Sequence, residues 1–187
     1  MRIISGQYKH RLIQPPSNFK ARPTTDLAKE SLFNILENTI DFEQIKVLDL
    51  FGGTGALALE AMSRGAESAV IADVSVSAVK CINSNIQAVM GERPGVKCLK
   101  ADYRTALNSL KGEKFDLIFL DPPYRLTEAY ALSARFLMEN GMLTRDAVIV
   151  AERDKDVFID WPKGLTVRDS RLYRDTAIDF VIPEDDP

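Results

Sequence analysis

From residue 46 onward, short dense apolar runs alternate with longer stretches whose apolar residues recur at helical spacing. Val47-Leu48-Asp49-Leu50, Ala69-Val70-Ile71-Ala72, Val96 to Leu99, Phe115-Asp116-Leu117-Ile118-Phe119-Leu120 and Ala147 to Ala151 read as buried strands. Between them the pattern predicts helices. One runs from Ala56 to Arg64 and is closed by Gly65. A second is capped by Ser75 and carries Val79, Ile82, Ile86 and Val89 on its apolar side. Two more span Tyr103 to Leu110 and Thr127 to Glu139, the last ending near Gly141. Arg168–Tyr173 and Thr176–Ile182 read as a closing antiparallel pair. Ahead of residue 46, Arg2-Ile3-Ile4 and Arg11-Leu12-Ile13 flank Gly6 as a brief hairpin, and Pro15-Pro16 and Arg22-Pro23 enforce extended backbone. A helix capped by Thr25 or Asp26 follows, with Ala28, Leu32, Ile35 and Leu36 as its apolar stripe.

Strand-then-helix repetition predicts an α/β fold with a mostly parallel, doubly wound sheet. Ligands of such sheets sit at the carboxyl ends of the strands, at the topological switch point. The chain divides into a basic arm over 1–24, a main domain over 25–183 and a frayed acidic tail over 184–187.

Composition narrows the class. With 187 residues and 45% hydrophobic content, one globular domain is expected. No apolar run approaches the ~18 residues of a membrane span. The N-terminus has no hydrophobic export segment, so the cytoplasm is the expected compartment. Two cysteines and one histidine are too few for a Cys/His zinc site, and no metal is called for. Cys81 and Cys98 read as small buried hydrophobes, and His10 falls in a basic, mobile segment unsuited to nucleophilic catalysis. The net charge of −3 disfavours a nucleic-acid binder, but its distribution does not. Residues 1–29 carry net +5, with Arg2, Lys9, Arg11, Lys20, Arg22 and Lys29 against Asp26 alone, and the rest carries −8. A basic arm on an acidic body points to a polyanion.

Four aspartates stand at or near the carboxyl ends of four successive strands: Asp49, Asp73, Asp102 and Asp121. Singly, each could cap the next helix; together they mark the edge where ligands bind. The loop Asp49-Leu50-Phe51-Gly52-Gly53-Thr54-Gly55 lets backbone approach a ligand closely. Gly53-Thr54-Gly55-Ala56-Leu57-Ala58 also satisfies G-x-G-x-x-A, with Asp73 twenty residues beyond Gly53, which fits a nicotinamide dinucleotide. Asp49 argues against that, because a carboxylate beside the loop repels pyrophosphate and suits an ammonium group. With Asp73 on a ribose and Asp102 on an adenine amine, the set matches S-adenosylmethionine. Asp121-Pro122-Pro123-Tyr124 follows the most apolar strand. Its prolines cannot donate, so the loop offers acceptors, the Asp121 carboxylate and the Pro122 carbonyl, to a planar amine, and Tyr124 can stack on an extruded base.

In this order, Asp-x-Phe-x-Gly-x-Gly, an acidic ribose reader and Asp-Pro-Pro-Tyr resemble class I amino-methyltransferases acting on nucleic-acid bases. Arg2-Ile3-Ile4-Ser5-Gly6-Gln7-Tyr8, Arg22-Pro23-Thr24-Thr25-Asp26, Glu30-Ser31-Leu32-Phe33-Asn34 and the run from Asp49 to Ala66 closely resemble the RsmD family, which methylates guanine N2 in 16S ribosomal RNA. The resemblance implies a seven-stranded Rossmann-like sheet with an N-terminal β-hairpin. It implies cofactor contacts from Asp49, Phe51, Gly53, Gly55, Asp73 and Asp102, and base contacts from Asp121, Pro122 and Tyr124. Lys9, Arg11, Lys20 and Arg22 would meet RNA phosphates, with Arg22, Pro23 and Thr24 beside the active site. The partner would be 16S rRNA in a partly assembled small subunit, with no oligomer required. Three positions depart from the family: Asp73 replaces Glu, Gly53-Thr54 replaces Ala or Gly with Ser, and Arg174 replaces Gly. Asp-Pro-Pro-Tyr by itself also fits adenine N6 or a protein amide, and an RNA-binding module with a relict pocket is the non-enzymatic alternative.

Overall fold

The structure is a computed structural model describing residues 1–16, 26–92 and 95–184, the side chains of Asp26 and Leu27 excepted. Its elements, in order, are α1 (Asp26–Glu37), β1 (Lys46–Asp49), α2 (Ala56–Arg64), β2 (Ser68–Asp73), α3 (Val76–Met90) and β3 (Val96–Lys100). Then come α4 (Tyr103–Ser109), β4 (Phe115–Leu120), α5 (Glu128–Glu139), β5 (Leu143–Asp154), β6 (Leu165–Tyr173) and β7 (Thr176–Pro183). The sheet is seven-stranded with order β3-β2-β1-β4-β5-β7-β6, parallel except for β7, which pairs antiparallel with both neighbours. The fold class expected from the alternation is the one observed.

Central strands are buried on both faces, which is why they read as unbroken apolar runs. Val47, Leu117, Phe119, Val148 and Val150 face α1, α2 and α3 in one core. Leu48, Leu50, Ile118, Leu120 and Ile149 face α4 and α5 in the other. The fifth strand is longer than its apolar run, because Glu152 to Asp154 extend it against the antiparallel β7. The buried face of α3 is Ala78, Ile82, Asn85 and Val89; Val79 and Ile86, expected on that face, are half-buried.

The N-terminal arm differs most from its expectation. It is a hairpin with one antiparallel bridge, Arg2 with Leu12, and the Ile3 N–H donates to the Arg11 carbonyl at 2.9 Å. It is not mobile. Ile3 and Ile13 enter the core shared by α1–α3, each worth roughly 2–3 kcal/mol of burial. The Gly6 Cα lies so close to the end of α2 that a Cβ there would sit 1.8 Å from the Ser63 carbonyl oxygen. Gln7 and Tyr8 donate their N–H groups to the Ser63 carbonyl and hydroxyl, and that hydroxyl donates to the Ser5 carbonyl.

Beneath the arm lies a buried ionic cluster. Glu60 and Lys29 are both 0% exposed and 3.0 Å apart. Lys29 also donates to the Arg2 carbonyl, and Glu60 accepts from the N–H groups of Ile4 and Ser5 and from Arg64 Nε. Arg64 in turn pairs with Glu37 and lies over the Phe33 ring. Lys29 therefore does not belong to the polyanion-facing charge of the arm. Glu184 is tied by its N–H to the Gly164 carbonyl, so the tail is ordered at its first residue; 185–187 lie outside the described residues.

Removing Glu60 leaves Lys29 buried without its counter-charge. Glu60→Ala is expected to lower unfolding free energy by about 3–5 kcal/mol, read by urea denaturation. A loss under about 1 kcal/mol would show that water replaces the carboxylate.

Candidate active site

The switch point lies between β1 and β4, whose following loops leave the sheet edge side by side. Asp49 ends β1 opposite Phe119 of β4, so Asp121 stands two residues further along the neighbouring strand. Asp73 ends β2, again two residues beyond the partner of Asp49, and Asp102 follows β3 by two. The register thus brings the four aspartates to one edge.

Their surroundings differ. Asp49 is 3% exposed, and one oxygen accepts from the Phe51 N–H at 3.2 Å. Burial pushes its carboxyl up to about 7, with nearby Asp73 adding repulsion and the Phe51 bond pulling the other way. Asp73 accepts from the Gly53 N–H at 2.9 Å and the Ser75 N–H at 2.8 Å, so it braces the glycine loop against the start of α3. Gly53 and Gly55 hold the loop with φ of +56° and +78°, a region that favours glycine. Asp102 is exposed and caps α4: it accepts from the Arg104 and Thr105 N–H groups and the Thr105 hydroxyl, which lower its carboxyl. An adenine amine would meet an acid already occupied as a helix cap.

Asp121 opens onto the cleft, but protein surrounds it on the other sides. Its carboxyl is pushed well up by burial, then by Glu152 and Asp49. No donor among the described residues hydrogen-bonds its carboxylate. Pro122 is buried, Tyr124 is 73% exposed, and the turn is held by the Leu126 N–H on the Pro123 carbonyl at 2.8 Å. Phe51 packs against Tyr103 with ring centroids 5.7 Å apart. Two surface hollows of about 440 and 560 Å³ lie elsewhere, beside Arg168 and Arg145, and include none of these residues.

Among the described residues of the arm, Lys9 and Arg11 do not enter this edge. Lys9 lies in the turn packed at the end of α2, and Arg11 donates to the Ala88 and Val89 carbonyls in the last turn of α3. Both helices start at the aspartates and run away from them. The nine-residue α2 puts Lys9 on the order of 14 Å from the loop. Lys20, Arg22, Pro23 and Thr24 lie outside the described residues, as does the Thr25 cap.

Three side chains escaped the sequence reading. Glu152 is a fifth acid just past an apolar strand run, the same signal as the other four. Tyr130 donates to the Glu152 carbonyl at 2.5 Å, and its hydroxyl is pushed up by burial and by Asp121. Asn85 is the polar member of the buried face of α3. The cysteines are half-buried, not buried: Cys81 Sγ lies 3.0 Å from the Gln14 carbonyl, and burial raises Cys98 to about 11.

A family model described as Conserved hypothetical protein 95 matches residues 1–182. Ribosomal RNA small subunit methyltransferase D of Escherichia coli K12 is 34% identical over 164 residues, 82% of this chain and 75% of that one. Its namesake in Haemophilus influenzae is 31% identical over 169 residues, 89% of this chain and 86% of that one. The chain belongs to the RsmD-type methyltransferase family. A solved hypothetical protein of Thermus thermophilus shares its fold, with TM-score 0.80 and 23% identity over 97% of this chain and 99% of that one. Arg174 takes φ +56° in the β6–β7 turn, a region that favours glycine, so it is held there at some backbone strain.

A carboxyl held at about 7 when folded and 3.8 when free binds more protons in the native state between those values. Stability therefore falls as pH rises through that window and levels off above it. For Asp49 the loss is on the order of 4 kcal/mol, and Asp49→Asn should remove it. Denaturant titrations at about pH 5 and pH 8 test this. An equal pH slope in wild type and Asp49→Asn would contradict it.

Proposed function

We infer that this chain transfers a methyl group from S-adenosylmethionine to the exocyclic N2 of a guanine in 16S ribosomal RNA. The observation carrying the reading is the crowd of carboxylates at the switch point. Asp49, Asp73, Asp121 and Glu152 raise one another's burden of negative charge, and the described residues bring no lysine or arginine to Asp49 or Asp121. Such a floor fits a ligand that carries positive charge and no phosphate. It disfavours a nicotinamide dinucleotide, whose pyrophosphate would meet Asp49.

Bound S-adenosylmethionine supplies an electrophilic methyl group on a sulfonium. Asp49 would hold its ammonium end, and that positive charge would bring the Asp49 carboxyl back toward ionisation. Asp73 has both oxygens on backbone N–H groups, and each keeps a lone-pair direction for a ribose hydroxyl. The loop backbone at Gly53 and Gly55 admits close approach. Phe51 and Tyr103 wall the adenine side; Asp102 reaches that side only with the acceptor capacity its cap leaves over.

At the other end, Asp121 and the Pro122 carbonyl accept from the guanine amine, and Tyr124 offers its exposed ring for stacking. With the donor bound, the amine nitrogen would take its methyl, the sulfur would leave as a neutral thioether, and the released proton would pass to water at the open side of Asp121. Asp121 must be ionised to accept, so the raised carboxyl makes it dependent on nearby positive charge. Most of the rate comes from alignment and from stabilising charge that grows on nitrogen. Lys9 and the exposed part of Arg11 hold RNA phosphates a helix length from the reacting base. The relatives named for small-subunit RNA methylation support the substrate class, and a partly assembled subunit in the cytoplasm is the substrate form we assign.

Asp121→Ala should cut methyl transfer by about 10²-fold or more, with S-adenosylhomocysteine affinity within about threefold. Retained turnover would remove Asp121 from the chemistry. Lys9→Ala should lower the slope of log affinity against log salt by about 1. Mapping the product on 16S rRNA lacking the mark distinguishes guanine N2 from adenine N6. Methyl transfer to a protein amide, or none to rRNA, would overturn the substrate assignment.

A further inference from the structure

The buried side of α3 is apolar except at Asn85, which is 1% exposed. Its hydrogen bonds reach two segments that are otherwise unrelated, besides a longer Nδ2 contact of 3.4 Å to Cys81 Sγ on α3 itself. Its Oδ1 accepts from the Gln14 N–H at 2.9 Å, and its Nδ2 donates to the Gln14 carbonyl, also at 2.9 Å. That pair imitates one rung of a β-ladder. The second Nδ2 hydrogen goes to the Thr54 carbonyl at 2.9 Å. Thr54 lies between Gly53 and Gly55, in the loop that Asp73 braces. The partners also fix the orientation of the amide, because the reverse would face an NH2 to an N–H and an oxygen to two carbonyls.

Gln14 is the last part of the arm before Pro15-Pro16, where the chain leads toward Arg22-Pro23-Thr24. The other anchors of the arm include Glu60 and Ser63 on α2, Lys29 on α1, and Cys81 and the last-turn carbonyls of α3. Among the described hydrogen bonds, those of Asn85 are the ones that reach both the arm and the glycine loop.

We propose that Asn85 is a positioning residue that couples the two ligands of this enzyme, so that RNA on the arm and the methyl donor in the glycine loop strengthen each other's binding. A displacement of the Gln14 peptide moves the amide, and the amide moves the Thr54 peptide. A ligand that fixes either segment has already met part of the ordering cost for the other. The coupling is reciprocal by thermodynamic necessity. It rests on the rRNA-methyltransferase reading above.

The test is S-adenosylhomocysteine affinity measured by calorimetry with and without saturating unmethylated rRNA. Wild type should bind it about tenfold tighter with RNA present. Asn85→Ala should bring that ratio to about one. Ser63→Ala loosens the arm at its other end and should keep the ratio, which separates coupling from a general loss of stability. Asn85→Asp sets a carboxylate oxygen against two carbonyls and should abolish coupling at about pH 8. A wild-type ratio near one, or an unchanged ratio in Asn85→Ala, overturns the proposal. Methyl transfer to rRNA assayed on the same wild-type sample reports separately: transfer without coupling defeats only this inference, and no transfer defeats the function assigned above.

Discussion

Everything in the site depends on β1 and β4 lying side by side and parallel. Right-handed crossovers carry the chain from β1 to one sheet face and from β4 to the other. The loops at their carboxyl ends therefore part, and the gap between them is the one place where a ligand can reach strand-end side chains from two halves of the sheet. Asp49 guards one side and Asp121 the other. Had β4 paired elsewhere, the Asp-Pro-Pro-Tyr turn would present the same acceptors with no donor pocket beside them.

The arm is the second constraint. Buried ion pairs are weak sources of net stability, because desolvation offsets most of their attraction. What the Lys29–Glu60–Arg64 cluster supplies is a fixed place for the arm. Glu60 sits on α2 and accepts N–H groups from Ile4 and Ser5, while Lys29 on α1 holds the Arg2 carbonyl. The hairpin cannot slide without unpairing a buried charge. Its basic tip is thereby set at the bottom of α2, and its exit at Gln14 beside the glycine loop. An RNA held at both ends would be registered against the reacting edge over about the length of that helix.

The sheet was legible from sequence because apolar periodicity reports burial directly: the Phe115–Leu120 run is buried on both faces and could be little else. The four aspartates and the proline turn were legible because strand-end position and donor-free chemistry are local. What the sequence hid was long-range. Lys29 reads as one more basic residue of the arm until Glu60, thirty-one positions away, closes on it. In α3 the apolar pattern picks Ile82 and Val89 correctly but favours the bulkier Val79 and Ile86 over Ala78 and Asn85, because the 78, 82, 85, 89 phase contains an asparagine and looks worse. That asparagine is tolerated because it has partners in two other segments, and no local pattern could announce them. Glu152 is hidden for a simpler reason: the apolar run ends at Ala151, and the three residues that carry the strand on to Asp154 are charged.

The acids of this protein sort by how many donors already occupy them. Glu60 holds two cations and two N–H groups, and Asp102 holds three donors at the head of α4. These carboxylates complete the fold. Asp73 has two N–H partners, Asp49 one, and Asp121 none among the described residues. A carboxylate short of donors costs stability where it is buried, as at Asp49, and turns to solvent where it is exposed, as at Asp121. The order Asp121, Asp49, Asp73, Asp102 is thus an order of increasing occupation by protein donors. In the proposed function it runs from the turn that would receive the amine, through the ammonium site, to the ribose and adenine ends of the donor. On that reading the side chains nearest the reacting atoms are the ones with fewest protein donors, as expected of a site organised around charge that arrives with its ligands.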